Sequence, residues 1–160
     1  MKNLILVAVL LLTVSALSFG QSTTANITAN VNATLSIARL TDLAIGNVNQ
    51  GQTVTIASNV AAASSFLVTG AASAATTVAV TFPASLASGA NTLPFTGVIP
   101  RYNTVAAPGT STAFGALTGG STNTNTNGNL WVYVGGGVTA DAAQAVGSYT
   151  GTITVAVTQP

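Results

Sequence analysis

The sequence predicts an all-β protein, an antiparallel β-sandwich of about seven to nine strands with a long N-terminal strand. Residues 25–37 alternate strictly between apolar and small polar side chains, which is the period of a strand with one buried face. Short apolar runs follow, separated by Gly, Pro, Asn and Ser, and no long segment has helical spacing. Strands at this rhythm are typical of a sandwich of immunoglobulin-like size.

The first 20 residues have the composition of a secretory signal peptide. Lys2 supplies the positive charge, an unbroken apolar run covers residues 4–12, and small residues follow. We expect cleavage before Gln21, with cleavage after Ser18 as the alternative. The apolar run is too short for a transmembrane helix, which needs about 18 residues. The sequence therefore predicts an exported chain, extracellular or on the cell surface, in which residues 21–160 form one domain without a membrane span.

The expected mature chain is almost free of charge. Beyond residue 20 its charged side chains are two arginines and two aspartates, so the net charge is zero. Nucleic-acid binding requires a basic surface, which this composition excludes. A net charge near zero provides little repulsion between copies and favours association.

The first predicted strand is about twice the usual length of about 5–6 residues. A strand of that length can serve two subunits. We expect residues 33–37 to stay in their own sheet and the preceding segment to dock on a neighbouring subunit. Residues 39–42 are predicted to break the strand. The predicted subunit-interface side chains are Ala25, Ile27, Ala29 and Val31.

The later strands are predicted from short apolar or alternating runs bounded by turn residues. Pro94 predicts an edge position or a bulge, because proline cannot donate to a ladder. The polar segment 121–129 predicts an exposed loop or hairpin tip, and glycines 135–137 predict a hairpin connection. The predicted strands cover residues 43–48, 53–58, 66–70, 76–82, 91–99, 130–134 and 148–158.

The strand at residues 130–134 carries two aromatic side chains on one face. Trp131 and Tyr133 alternate with Leu130, Val132 and Val134, so they point to the opposite side of the sheet. One interpretation is a second packed face of a strand covered on both sides. The other is an exposed aromatic pair that contacts sugar or a neighbouring subunit.

The residue types argue against an enzyme. The chain has no His, Cys or Glu, and its single Lys lies in the predicted signal peptide. Nucleophile–base catalysis therefore lacks its usual base. Asp42 and Asp141 are the only carboxylates, too few for a zinc or calcium site. We predict no catalytic residue, no cofactor and no metal.

The C-terminal stretches L-W-V-Y-V-G-G-G (130–137) and Q-A-V-G-S-Y-T-G-T-I-T-V-A-V (144–157), with L-A-I-G at 43–46, carry a resemblance. They resemble a family of secreted bacterial β-sandwich domains of unknown function, distantly similar to spore-coat-U-like and archaic chaperone–usher pilin subunits. The resemblance implies a structural surface role, assembly by donor-strand exchange and no catalytic residues. Gly147 and Gly151 leave room for the ring of Tyr149, whose hydroxyl we expect to bond a nearby backbone group.

Two main hypotheses of function follow. The first is a structural extracellular subunit, pilin-like or part of a matrix, that forms filaments of identical copies by β-strand addition; a periplasmic chaperone is a candidate further partner. The alternative is a monomeric surface module that binds glycans through Trp131, Tyr133 and Tyr102. Scattered Thr-x-Thr pieces also raise an ice-binding surface, but they are aperiodic.

Overall fold

A computed structural model describes residues 26, 28 and 34–160. Over this part of the chain the all-β prediction is confirmed, because a single 3-10 turn at Pro108–Thr110 is the only helical element. The predicted interface residues Ala25, Ile27, Ala29 and Val31 lie outside the described residues. The strands are β1 (Ser36–Thr41), β2 (Thr53–Ile56), β3 (Ser64–Thr69), β4 (Ala75–Thr81), β5 (Ser85–Ser88), β6 (Asn91–Gly97), β7 (Arg101–Asn103), β8 (Thr112–Ala113), β9 (Gly119–Asn123), β10 (Asn129–Val134), β11 (Gly136–Thr139) and β12 (Thr154–Thr158).

These strands form three antiparallel sheets. Sheet A has the order β1-β3-β10-β7-β8, sheet B the order β2-β11-β6-β5, and sheet C the order β12-β4-β9. Side chains of sheets A and C share one apolar core, so the arrangement is β-sandwich-like. The described part contains twelve strands. The number exceeds the expected seven to nine because short strands form in segments for which no strand was predicted, namely β5, β7, β8, β9 and β11.

The main core is built by alternation on the central strands. On β4, Val78 and Val80 are buried while Thr77 and Ala79 face outward. On β10, Leu130 is fully buried and belongs to the same cluster as the β4 valines. Burying each such side chain stabilises the fold by about 1.5–3 kcal/mol. The alternation of apolar and polar residues in these strands therefore correctly predicts which side chains are buried.

The prediction of a hairpin at glycines 135–137 is wrong. The chain runs from β10 in sheet A directly into β11 in sheet B, and all three glycines are buried. The Gly135 N–H donates to the Ser58 hydroxyl at 3.0 Å. A Cβ atom on Gly136 would collide with the ring of Phe95. The glycines thus provide close packing between strands rather than a turn.

Proline 94 also lies elsewhere than predicted. It is in β6, which has β11 on one side and β5 on the other, so the strand is not an edge. The pairing of β6 with β11 begins only at Phe95, opposite Val138. Because Pro94 has no β11 partner, its missing N–H costs no ladder hydrogen bond on that side.

Strand β1 passes through the predicted break at residues 39–42. It continues to Thr41 because it pairs with β3 across a bulge near Leu40. The Thr41 hydroxyl lies 2.7 Å from that of Ser65, which holds the end of the strand. Arg39 and Asp42 form the expected surface ion pair at 2.7 Å.

The polar segment 121–129 is only partly a loop. Its first residues belong to β9, and Thr124 is buried. The Thr124 hydroxyl donates to the Ala71 carbonyl at 2.6 Å and accepts from the Ala74 N–H at 3.1 Å. Thr124 can therefore be buried, because its hydroxyl makes its hydrogen bonds within the protein.

Within residues 34–160, no helical segment has the length and hydropathy that a bilayer crossing requires.

Candidate functional site

Strands β1 and β12 are free edges on the same side of the sandwich. Each is the terminal strand of its sheet, A for β1 and C for β12. Leu35, Val155 and Val157 pack against the same core cluster, although each is only partly buried. Gln159, just after β12, contacts Gly70, just after β3, and accepts a hydrogen bond from the Ala71 N–H. The two sheets therefore end side by side without a covering strand among the described residues.

The other side of the sandwich is closed. Phe114, which follows β8, packs onto Gly120 of β9 and against Tyr102, with 4.8 Å between ring centroids. Val78 beneath this closure is 1% exposed. Ile37 of β1 lies opposite Val68 and on the core-facing side, yet it is 37% exposed. Over residues 34–160, the sandwich is thus open along the side on which β1 and β12 are the edge strands.

The backbone at this open edge has unused hydrogen-bonding groups. The Val80 N–H donates to the Thr118 carbonyl, so the backbone N–H and C=O of Val80 point away from β12. In an antiparallel ladder, Val155 opposite Val80 then points its own N–H and C=O outward. The same reasoning applies to Ile37. The Gly70 N–H donates to the Gly128 carbonyl, so Gly70 and, two residues before it, Val68 point their N–H and C=O groups toward β10. Ile37 lies opposite Val68, so its own N–H and C=O point away from β3. No described residue pairs with either edge.

A cleft of about 960 Å³ continues this open edge, and we call it the edge cleft. One wall is formed by Arg39 and residues 42–50, the other by residues 144–153, which lead into β12. Its floor contains the buried side chains Leu93, Phe95 and Val138. Partly buried apolar side chains pack around that floor: Leu43, Ile45, Val48, Leu86, Tyr149 and Ile153. The cleft has an apolar floor and a polar rim, and it is open to solvent.

The predicted strand at residues 43–48 is absent, and the segment forms one wall of the edge cleft. Its backbone makes no hydrogen bond with another described backbone group. Gly46 adopts φ of 81°, which interrupts the extended conformation. Leu43, Ile45 and Val48 still pack inward, as their apolar character predicts. The segment thus has the side-chain pattern of a strand but lacks a partner.

Hydrogen bonds define the far end of the cleft. The Tyr149 hydroxyl donates to the Ala145 carbonyl at 2.7 Å, as expected for this tyrosine, and accepts from the Gln144 amide at 2.7 Å. The same amide donates to the Thr92 carbonyl at 3.0 Å, and the Gln50 amide donates to the Gln144 carbonyl. No sequence pattern distinguishes Gln144 from the other polar residues of the chain, so its role could not be predicted.

Trp131 and Tyr133 lie on the outer face of sheet A, away from the edge cleft. They form part of a depression of about 200 Å³ that also includes Leu40 and Val60. Trp131 is partly buried, and Tyr133 is 4% exposed. Burial raises the pKa of the Tyr133 phenol. The pair is covered to the extent expected for a second packed face.

Tyr102, the third aromatic residue considered for glycan binding, is not part of that depression. It packs against Phe114 and the main core, on the opposite face of sheet A from Trp131. The structure therefore does not bring the three predicted aromatic side chains onto one surface.

No family model, curated protein or solved structure matches the chain.

Proposed function

We propose that this chain is a structural extracellular subunit that assembles into filaments by β-strand addition. In this proposal, residues 25–31 of one copy occupy the edge cleft of the next copy. The single observation that supports it best is the open edge between β1 and β12, where apolar side chains and backbone polar groups have no covering strand among residues 34–160. Such an edge is a template for pairing with another chain.

The proposed occupant has the chemistry that the cleft requires. Ala25, Ile27, Ala29 and Val31 alternate with Asn and Thr, so one face of the strand is apolar and the other polar. Seven extended residues span roughly 23 Å. The segment has no charged residue, and the one ion pair at the cleft, Arg39–Asp42, is exposed at its rim. Binding therefore requires no burial of charge.

The direction of β1 favours a neighbour as the recipient. Ser36 pairs with Thr69, next to Gly70, and Gly70 contacts Gln159, so β1 begins where β12 ends. A strand that continued β1 straight toward the N-terminus would leave its own subunit at that end. If successive copies have the same orientation, this strand would reach the edge cleft of the next copy at its far end, where Gln144 and Tyr149 lie. It would run antiparallel to β12, the geometry that most readily extends a sheet.

The wider biological assignment follows from the sequence. The predicted signal peptide supports export to an extracellular or cell-surface location, and net neutrality favours close packing of identical copies. We propose an immunoglobulin-like sandwich related to the pilin-like domains that its C-terminal motifs resemble. Each copy would supply one strand to the next, so the polymer would be held by sheet hydrogen bonds without disulfides, for which the chain has no cysteine.

Deletion of residues 21–31 is expected to abolish filaments and leave a folded monomer, because both apolar clusters lie within residues 34–160. Electron microscopy of the chain 21–160 and of the deletion variant at equal concentration measures assembly. Circular dichroism checks that the variant keeps its β structure. Normal filaments from the deletion variant would rule out the N-terminal segment as the link between subunits.

A further inference from the structure

We infer that strand β2 forms a second contact between copies of this chain, in which β2 of one copy pairs antiparallel with β2 of another across a two-fold axis. This contact goes beyond the proposed function, because it uses an edge other than β1 and β12. Strand β2 is the terminal strand of sheet B and has β11 as its neighbour on the inner side. No described residue pairs with its outer edge.

The hydrogen bonds to β11 establish which backbone groups of β2 point outward. The Ala140 N–H donates to the Gln52 carbonyl, and these two residues continue the register in which β11 pairs with β2. Because bonded pairs alternate along an antiparallel ladder, Val54 also bonds to β11, whereas Thr53 and Thr55 point their N–H and C=O groups away from it. Both threonines are exposed. The outer edge of β2 therefore presents backbone donors and acceptors to which no described group bonds.

The other side of β11 gives the same assignment. The Val98 N–H donates to the Gly135 carbonyl, so Gly135 and Gly137, two residues further on, point their backbone groups toward β6. Val138, the next residue, then points its groups toward β2, where it lies opposite Val54. Two independent hydrogen bonds thus agree on the direction of the β2 backbone.

This edge is complementary to itself. With Val54 on the two-fold axis, Thr53 of one copy lies opposite Thr55 of the other, and the two residues exchange both of their backbone hydrogen bonds. The symmetry repeats this exchange on the other side of the axis, so every outward group of the two threonines is bonded. Val54 meets its own counterpart in a non-bonded pair, where side chains approach most closely. Val54 and Ile56 are only partly buried in one copy, so the pairing also covers apolar surface.

The edge lacks the features that usually prevent pairing between copies. Natural edge strands are commonly protected by charged side chains, by proline or by a bulge. Residues 52–57 include no charged residue and no proline, and the register of β2 with β11 is unbroken. The net charge of zero beyond residue 20 adds no repulsion between copies. A second copy is therefore the occupant that matches this edge in both charge and hydrogen-bonding pattern.

The length of β2 determines the strength of the contact. The strand has four residues and spans roughly 13 Å, whereas a stable interface buries about 800 Å² on each partner. Pairing of β2 is therefore weak between isolated copies. Copies linked in a filament present many such edges at once, and multivalency strengthens their combined binding. We expect filaments to associate side by side; this association, unlike the pairing of two copies, rests on the proposed function.

Single cysteine substitutions test the pairing, because the chain has no native cysteine. On the axis, the Cα atoms of the two Val54 residues would lie about 4.5 Å apart, a spacing that a disulfide can bridge. Ile56 would lie opposite Gln52 of the other copy, so the two Ile56 residues would be roughly 13 Å apart and out of reach. We expect oxidation of chain 21–160 carrying Val54→Cys to give a covalent dimer. The matched variant Ile56→Cys should remain monomeric under the same conditions.

A charge at the edge tests the association of filaments. Thr55→Lys places an ammonium group next to Thr53 of the other copy, and edge lysines oppose strand pairing. Electron microscopy is expected to show paired filaments of the wild-type chain and single filaments of this variant. Thr96→Lys is the control, because Thr96 is exposed in the same row across sheet B, beyond Gly137, but lies on the interior strand β6. Circular dichroism checks that both variants remain folded.

The outcomes separate this contact from the proposed function. Equal dimer yields from Val54→Cys and Ile56→Cys would overturn the pairing of β2, whether or not filaments form. Wild-type filaments that stay single would overturn the side-by-side association. A dimer specific to Val54→Cys, from protein that forms no filaments at any concentration, would support the β2 contact and overturn the proposed function. A specific dimer together with paired filaments that Thr55→Lys separates supports both.

Discussion

Val155→Asp is expected to abolish filament assembly while the monomer remains folded. Val155 packs against the core at the open edge, is only partly buried, and points its backbone N–H and C=O away from β4, where no described strand pairs with them. A docked strand would bury the new carboxylate against apolar side chains, which costs several kcal/mol for an unpaired charge. In the monomer, the same carboxylate can remain in contact with water. Electron microscopy and sedimentation of the variant measure the loss.

Ala156→Asp is the matched control for this substitution. Ala156 is the next residue on β12, is exposed on the outer face of sheet C, and lies opposite Ala79. The change in net charge is identical, so loss of filaments in both variants would indicate charge repulsion rather than occupation of the cleft. Val155→Thr, which keeps the side-chain shape, should weaken assembly without unfolding. Filaments of normal stability from Val155→Asp would contradict strand addition at this edge.

Leu130→Ala is expected to cause the largest loss of stability among conservative core substitutions. Leu130 is fully buried in the main core, on the strand β10 that lies between β3 and β7. Removing a buried leucine side chain typically lowers the free energy of unfolding by about 2–5 kcal/mol, because contacts are lost and a cavity remains. Thermal or urea denaturation of the chain lacking residues 21–31 measures this change without interference from assembly.

Leu117→Ala makes the same chemical change at an exposed position and serves as the reference. Leu117 is 42% exposed, in the loop before β9. Surface substitutions usually alter the free energy of unfolding by about 0.5 kcal/mol or less. Equal effects of the two substitutions would show that β10 does not occupy the centre of the core.

The sequence predicted the strands whose side-chain period matches a single sheet. Val78 and Val80 on β4, and Leu130 on β10, are buried as their alternation indicates. The closing residues of the chain also face inward as expected, with Val155 and Val157 partly buried. Period-2 patterning reports one wet and one dry face, and these strands have that environment.

Long-range pairing explains what the sequence could not predict. Residues 43–48 have the apolar pattern of a strand, but no described strand pairs with them, so the prediction of a strand there is wrong. Glycines 135–137 have the composition of a turn, yet they lie in close contact with Phe95 and neighbouring backbone. Local composition does not contain the position of these partners, which only the folded chain supplies.

In the candidate site, too, local sequence patterns predicted some features, whereas features that depend on long-range contacts could not be predicted. The alternation in residues 25–31 predicts a strand that docks on a neighbouring subunit, which stays a prediction, and the sequence around Tyr149 predicts a packed tyrosine. The cleft itself was not predicted, because its walls come from residues about 100 positions apart in sequence. The polar side chains around the cleft, the exposed Arg39–Asp42 pair at its rim and Gln144 at its far end, belong to no sequence motif.

The most direct measurement is the binding of a peptide of residues 21–31 to the chain that lacks them. A matched peptide carrying Ile27→Asp and Val31→Asp is the control, and calorimetry with thermal denaturation gives affinity and stabilisation. We predict one-to-one binding that raises the melting temperature, is lost with the control peptide, and is lost with Val155→Asp in the protein. No binding, or equal binding of both peptides, would contradict the proposal that the edge cleft accepts this strand.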